Sequence, residues 1–218
     1  MSHYLLHEIA GNHFLLCCDR YLYWEEEKAL VLSDLHLGKS GHFRKHGIGI
    51  PQDVFKEDMQ RLLSAIQLYK AEKVIVVGDM FHSHANKEHA LFLKWRNDIP
   101  HIAFHLVVGN HDILSLKWYK EANLQLHYHE LELGNFIFTH DINDASEKEG
   151  KYYFSGHIHP CVRLQGLGRQ SVHLPCFYFS KTFAVLPAFG KFTGTYPVKI
   201  KPEDNVFALA EDKLVKVQ

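Results

Sequence analysis

Short apolar and aromatic runs separated by turn residues fill the first thirty positions: Tyr4–Ile9, Phe14–Cys18 and Tyr21–Trp24, punctuated by Gly11-Asn12 and Glu25–Lys28. That pattern predicts short strands. Ala29–Ser33 is a continuous apolar run ending in a polar residue, the pattern of a strand buried on both faces. In Asp53–Tyr69, Phe55, Met59, Leu62, Leu63 and Ile66 recur at helical spacing and predict one amphipathic helix. Val74–Val77 reads as a second buried strand, Asn86–Arg96 as a helix with Ala90, Leu91 and Trp95 turned inward, and Ile102–Val108 as a third strand. Strands alternating with helices imply βαβ units and a largely parallel sheet. The second half changes character. Leu124–His127, Glu130–Leu133, Phe136–Thr139, Tyr152–Ser155, Val162–Leu164, Val172–Phe179 and Phe183–Leu186 all read as strands, and helical patterns are scarce. Two sheets packed face to face with helices outside would accommodate both halves.

The chain has 218 residues, enough for one domain spanning 1–218 with a substantial core. With 46% hydrophobic and 22% charged residues, nothing points to disorder. A net charge of −1 removes the overall basic footprint of a protein that coats nucleic acid, while leaving room for a local basic patch. The four cysteines, Cys17, Cys18, Cys161 and Cys176, form no C-x-x-C pair and suit a reducing compartment. The N-terminal stretch lacks a basic start followed by an apolar run, and no apolar run approaches a membrane span, so the expected location is the cytoplasm. Histidine is abundant, at 18 copies, which makes its positions the informative quantity.

Those positions fall at strand ends. Ala29–Ser33 runs into Asp34-Leu35-His36, Val74–Val77 into Gly78-Asp79, and the third strand into Gly109-Asn110-His111-Asp112. In the second half, Phe136–Thr139 runs into His140-Asp141, and Tyr152–Ser155 into Gly156-His157-Ile158-His159. Ligands of open α/β sheets bind outside the carboxyl ends of strands, so these endings deliver metal-competent side chains to one rim. A buried strand ending in a carboxylate needs a partner for that charge.

The order D-x-H, G-D, G-N-H-D, H, G-H-x-H, at Asp34 to His159, resembles the calcineurin-like metallophosphoesterases. The resemblance implies a four-layer α/β/β/α sandwich of two mixed sheets flanked by helices. It also implies two divalent cations. Asp34, His36, Asp79 and His159 would hold one, and Asp79, Asn110, His140 and His157 the other, with Asp79 between them. Mixed oxygen and imidazole donors suit manganese, iron or zinc, and family precedent leans to manganese. By the same resemblance, His111 protonates the leaving oxygen or stabilises the transition state, and Asp112 fixes its orientation. Asp141 would be an outer partner of a ligand. His82 and His84 read as outer groups or as ordinary surface histidines.

Three further segments extend the resemblance over nearly the whole chain. They are Asp34 to Pro51, Gly78 to Ser83 and Leu186 to Gly194, and they look like the bacterial ligase-associated DNA damage response endonuclease group, PdeM. That group implies a DNA endonuclease or phosphodiesterase acting beside a DNA ligase and a helicase. The loop after His36 carries Lys39, His42, Arg44 and Lys45, and Arg44 is the candidate phosphate contact. Two other readings remain open: a hydrolase of nucleotides or of a small pyrophosphate, which the neutral charge balance favours, and a non-catalytic metal-binding scaffold.

Overall fold

The computed structural model describes residues 4–39, 53–82, 86–165 and 171–218. The first sheet has seven strands in sequence order: β1 (Tyr4–Ile9), β2 (Asn12–Cys17), β3 (Tyr21–Trp24), β4 (Ala29–Leu32), β5 (Lys73–Val77), β6 (Ala103–Val107) and β7 (Leu124–His127). β1 to β4 form an antiparallel meander, because their connections are short turns. β4 to β7 are parallel, because each crossover carries a helix or a long segment. The helices are α1 (Asp53–Tyr69), α2 (Lys87–Asp98) and α3 (Leu116–Glu121).

The second sheet holds nine strands: β8 (Glu130–Leu133), β9 (Phe136–Thr139), β10 (Tyr152–Ser155), β11 (Pro160–Gln165), β12 (Ser171–Phe179), β13 (Phe183–Val185), β14 (Tyr196–Pro197), β15 (Asn205–Ala210) and β16 (Lys213–Lys216). It is mixed, with β9, β10 and β13 parallel and the β11–β12 and β15–β16 pairs antiparallel.

Alternation along each strand splits the core in two. Phe14, Leu22, Val31, Ile75 and Val77 of the first sheet face Phe136, Phe138, Phe154, Phe177 and Phe207 of the second. The opposite residues of the first sheet, among them Leu30, Leu32, Val74, Val76 and Phe104, pack on Phe55, Met59 and Leu62 of α1 and Phe92 of α2. The expected α/β sandwich of two mixed sheets is therefore present. Helices cover the first sheet's outer face; among the described residues the second sheet's outer face packs a smaller cluster, Val162, Cys176, Tyr178, Val185, Val206 and Ala208.

Helix α2 departs from the sequence reading. Ala90 and Leu91 are exposed and Trp95 is half-buried, whereas Glu88, His89, Phe92 and Arg96 are buried. The reason is hydrogen bonding. Arg96 donates to the carbonyls of Ile99 and Ile102 at 2.6 and 2.8 Å, and Glu88 accepts the Gly38 N–H at 3.0 Å. Polar side chains bury readily when they satisfy main-chain groups that would otherwise be orphaned. α3, β14 and the β15–β16 hairpin were not anticipated. No helix among the described residues is long and apolar enough to cross a membrane.

Phe154 is fully buried between the sheets, 5.1 Å from the Phe14 ring and stacked on Phe138 at 5.3 Å. Phe154→Ala is expected to cost about 3–5 kcal/mol. Leu68→Ala, on the exposed face of α1, should stay within about 0.5 kcal/mol. Urea unfolding midpoints of the two variants test the assignment of the inter-sheet core.

Candidate metal centre

The parallel strands β4, β5 and β6 and the strands β9 and β10 all end at one rim. Beyond the strands, main-chain bonds continue to hold the loops in register. Asp34 N–H donates to Gly78 O and His36 N–H to Asp79 O, each at 3.0 Å. The second sheet is tied in where Phe189 N–H donates to Ser33 O at 2.8 Å, and its own two loops are joined where Gly156 N–H donates to His140 O at 3.0 Å.

This frame brings all seven sequence-predicted ligand positions together. Asp34, His36 and His159 each offer an atom within 4.8 Å of the others, as do Asp79, His140 and His157. His36 Nε2 lies 3.3 Å from His159 Nε2, which is 3.3 Å from Asp34 Oδ1. In the other group, His140 Nε2 is 3.1 Å from both Asn110 Oδ1 and His157 Nδ1. Asp79 stands between the groups. Its Oδ2 is 3.9 Å from His36 Nε2 and its Oδ1 is 3.5 Å from His140 Nε2.

The donor set fits cations better than protons. One proton on His140 Nε2 cannot serve Asp79, Asn110 and His157 together. The remote ring nitrogens are also arranged to leave lone pairs inward: His159 Nδ1 lies 3.0 Å from Gly194 O and His140 Nδ1 lies 3.4 Å from Val77 O. A ring N–H spent on a backbone carbonyl is the usual support of a metal-bound imidazole.

Backbone conformation is concentrated here too. Asp34, His36, Asp79, His157 and His159 have φ of +53, +49, +50, +68 and +51°. Left-handed φ costs a non-glycine residue roughly 1 kcal/mol or more and persists where the surroundings over-determine it. Glycines supply the space. A Cβ at Gly78 would overlap the His140 ring, one at Gly109 the Asp79 carboxylate, and one at Gly156 the Asp34 carboxylate.

Burial sets the charge states. Burial works to lower the His140 imidazole, but the adjacent Asp79 carboxylate outweighs it and holds the pKa at about 9. Burial works to raise Asp79, yet His140 and the His111 N–H hold it at about 2. Burial wins at His36, lowering it to about 3 against the pull of Asp79, so its imidazole stays neutral with a lone pair available. Lys39, at the rim, is lowered by burial, with Asp79 and Asp34 acting in the opposite direction.

His111 is half-buried and belongs to neither ligand group. Its main-chain N–H donates to Asp79 Oδ1 at 2.9 Å. Its ring lies 5.2 Å from the His36 ring and stacks on His82 at 4.6 Å. His36, His82 and His111 thus form a third close group. Sequence reasoning left His82 without a role; its place three residues after Asp79, on a loop led into the rim, was the available signal. The expected pairing of Asp112 with His111 does not form. The buried Asp112 carboxylate accepts instead from the N–H groups of Phe81 and Gly109, both at 2.9 Å, and so clips the Asp79 loop to the Asn110 loop. Burial raises its pKa to about 7 while those two N–H groups oppose the rise. Asp141 Oδ2 approaches His157 Nε2 at 3.8 Å. Arg44, His42 and Lys45 of the basic loop, and His84, lie outside the described residues.

The sheet order and the layers match a metallophosphoesterase fold. Among solved structures, a nuclease named MPE from Pseudomonas putida superposes with a TM-score of 0.83 and 24% identity, covering 98% of this chain and 100% of that one. Yfce, a phosphoesterase from E. coli, aligns with a TM-score of 0.43 and 15% identity, over 85% of this chain and 90% of that one. No protein-family model and no curated protein matches the chain.

Two outcomes test the site's packing and charge. Gly109→Ala and Gly156→Ala should each destabilise by about 1–3 kcal/mol through overpacking, whereas Gly194→Ala, where a Cβ meets nothing within 4 Å, should be near neutral in thermal unfolding. In chelator-treated protein, His140 has a pKa raised above its ordinary 6.5 to about 9. Its stabilisation is complete below pH 6.5 and is lost as pH rises through about 9. The Tm of that protein should fall across this window more steeply than the Tm of His140→Ala; parallel profiles would rule out the raised imidazole.

Proposed function

We propose that this chain is a metal-dependent phosphodiesterase acting on nucleic acid. The observation that carries the proposal is Asp79, whose two oxygens face two separate groups of donors. In this reading Asp34, His36, Asp79 and His159 hold one divalent cation, and Asp79, Asn110, His140 and His157 hold the other. Manganese is the first choice, and iron or zinc suits the same mixed donors. Bound there, such ions neutralise phosphate charge and make water acidic enough to ionise near neutral pH.

The chain's own residues supply the rest. The left-handed loops and the three glycines fix the donors before substrate arrives, which removes reorganisation from the reaction. His111, held through its N–H on Asp79 and stacked on His82, is placed to give its proton to the leaving oxygen. Lys39 brings a cation to the same rim for the phosphate oxygens. Asp112 acts on the loops and not on the proton.

Support for a nucleic-acid substrate comes from the likeness in fold to a nuclease and from the sequence resemblance to the ligase-associated endonucleases. That resemblance also carries the DNA-repair setting, beside a ligase and a helicase. Four free cysteines, three of them buried, support a reducing cytoplasmic location. Hydrolysis of a small ester is the second reading, favoured by the net charge of −1.

The test uses protein loaded with Mn2+ on bis-p-nitrophenyl phosphate, p-nitrophenyl phosphate, and single- and double-stranded DNA. Asp79→Asn should lose both metal and turnover. His111→Ala should keep its metal and lose about 10²–10⁴ in rate on DNA. Loss of metal in His111→Ala would remove it as a proton donor outside the ligand set. DNA cleavage should fall steeply with added salt. Cleavage of monoesters alone would move the assignment to the small-ester hydrolase, and no turnover with any metal to the scaffold.

A further inference from the structure

The two ends of the centre differ. On one side stand His36, His82 and His111. On the other, the exposed side chains of Asn110 and His157 open into a groove of about 1040 Å³. That volume is slightly more than a typical ligand pocket of about 300–1,000 Å³ and the groove is open to solvent; His111 does not line it. One wall is the two-residue connection Tyr128-His129, where the chain passes from β7 of the first sheet to β8 of the second. The turn after His140, with Asp141, Asp144 and Ser146, also lines the groove.

Tyr128 is 58% exposed, a large aromatic side chain left in solvent beside the ligand cluster. Its backbone is not loose. Val108 N–H donates to His127 O at 2.8 Å, and Thr139 Oγ1 donates to His129 O at 3.4 Å. Those two bonds fasten the main chain of the connection to the segments that carry Asn110 and His140, so the backbone from which the ring projects is held beside the centre.

Charge limits what can enter. The lining carries the carboxylates of Glu130, Asp141 and Asp144, against one lysine, Lys148, whose ammonium is already ion-paired with Glu130 and Glu132. A second phosphate would meet acidic groups there. An uncharged, planar, hydrogen-bonding substituent would not: carboxylates accept from amino and hydroxyl groups, and an aromatic ring offers a face to any base.

We infer that this groove is a subsite for one nucleoside, with its base stacked on Tyr128, and that it receives the ester substituent that remains on phosphorus. The leaving group lies on the opposite side, toward His111. The inference rests on the proposed phosphodiesterase reading and deepens it by naming the residue that selects the retained group.

Two esters with the same leaving group and the same charge test it: thymidine 5′-(p-nitrophenyl phosphate) and methyl p-nitrophenyl phosphate, each with the Mn2+-loaded protein. The ratio of kcat/KM should favour the thymidine ester by about tenfold, collapse toward one in Tyr128→Ala, and survive in Tyr128→Phe. Calorimetric titration with thymidine 5′-monophosphate and with methyl phosphate gives the same comparison without turnover. Hydrolysis of both esters at equal rates, unchanged by Tyr128→Ala, overturns the subsite and leaves the phosphodiesterase standing. Tyr128-dependent preference for the nucleotide in binding, with neither ester hydrolysed, retains the subsite and overturns the catalytic reading.

Discussion

Asp79 places a carboxylate, 2% exposed, between two sets of donors, one with a carboxylate and two imidazoles and the other with an amide and two imidazoles, and the surrounding loops are organised around that one choice. Donor atoms of this kind do not gather spontaneously. Lone pairs repel one another, and a buried carboxylate left without a counter-charge is costly. The His140 imidazole meets part of the need, which is why its proton is held so tightly. The rest is met by position: Asp79 Oδ1 also accepts the main-chain N–H of His111 at 2.9 Å, so the group that anchors the backbone of the candidate proton donor is the one that stands between the candidate metal positions. Any displacement of Asp79 is transmitted to both.

The sheets make that placement possible. Three parallel strands end together, and their register extends past the strands through Asp34 N–H on Gly78 O and His36 N–H on Asp79 O. Left-handed residues then turn the side chains inward at five of the seven positions. The strain of those turns is borne by the aromatic core between the sheets and by clips such as Asp112, which spends a buried carboxylate on two N–H groups from different loops. Arg61 plays a comparable part further out. Its guanidinium pairs with Asp58 and donates to Phe189 O, both at 2.6 Å, linking α1 to the segment that supports Ser33 and Asp34.

Much of this was readable from the chain because apolar runs ending in Asp, His or Asn leave few alternatives: each such strand must be buried, and its polar end must lie at a sheet edge. The sheet-forming segments and the gathering of polar side chains at one rim follow from that logic, whereas the grouping of those side chains into two ligand sets is what the family resemblance implies. The failures share another cause. Ala90 and Leu91 looked like an inward face, but the face that turns inward carries Glu88 and Arg96, whose partners are backbone groups at Gly38, Ile99 and Ile102. Asp112 looked like the companion of its neighbour His111 and instead serves Phe81 and Gly109. In both cases the deciding partner is a main-chain atom that has no signature in the sequence. His82 was ambiguous for a related reason, since its meaning depends on the His111 ring stacked on it.

The polarity of the site follows from the same architecture. The first sheet's loops bring His36, His82 and His111 to one side, where their ring nitrogens gather beside Asp79. The crossing from β7 to β8 brings Tyr128 to the other, beside carboxylates and exposed ligand candidates. A symmetric pair of cations would treat the two substituents of a diester alike. Fixed groups of the protein would, on the proposed reading, break that symmetry: imidazoles where charge is relieved on a departing oxygen, and an acidic groove beside Tyr128 where an uncharged group is held. On the proposed reading, direction along a phosphodiester is therefore set by the strands that carry these side chains and not by the ions.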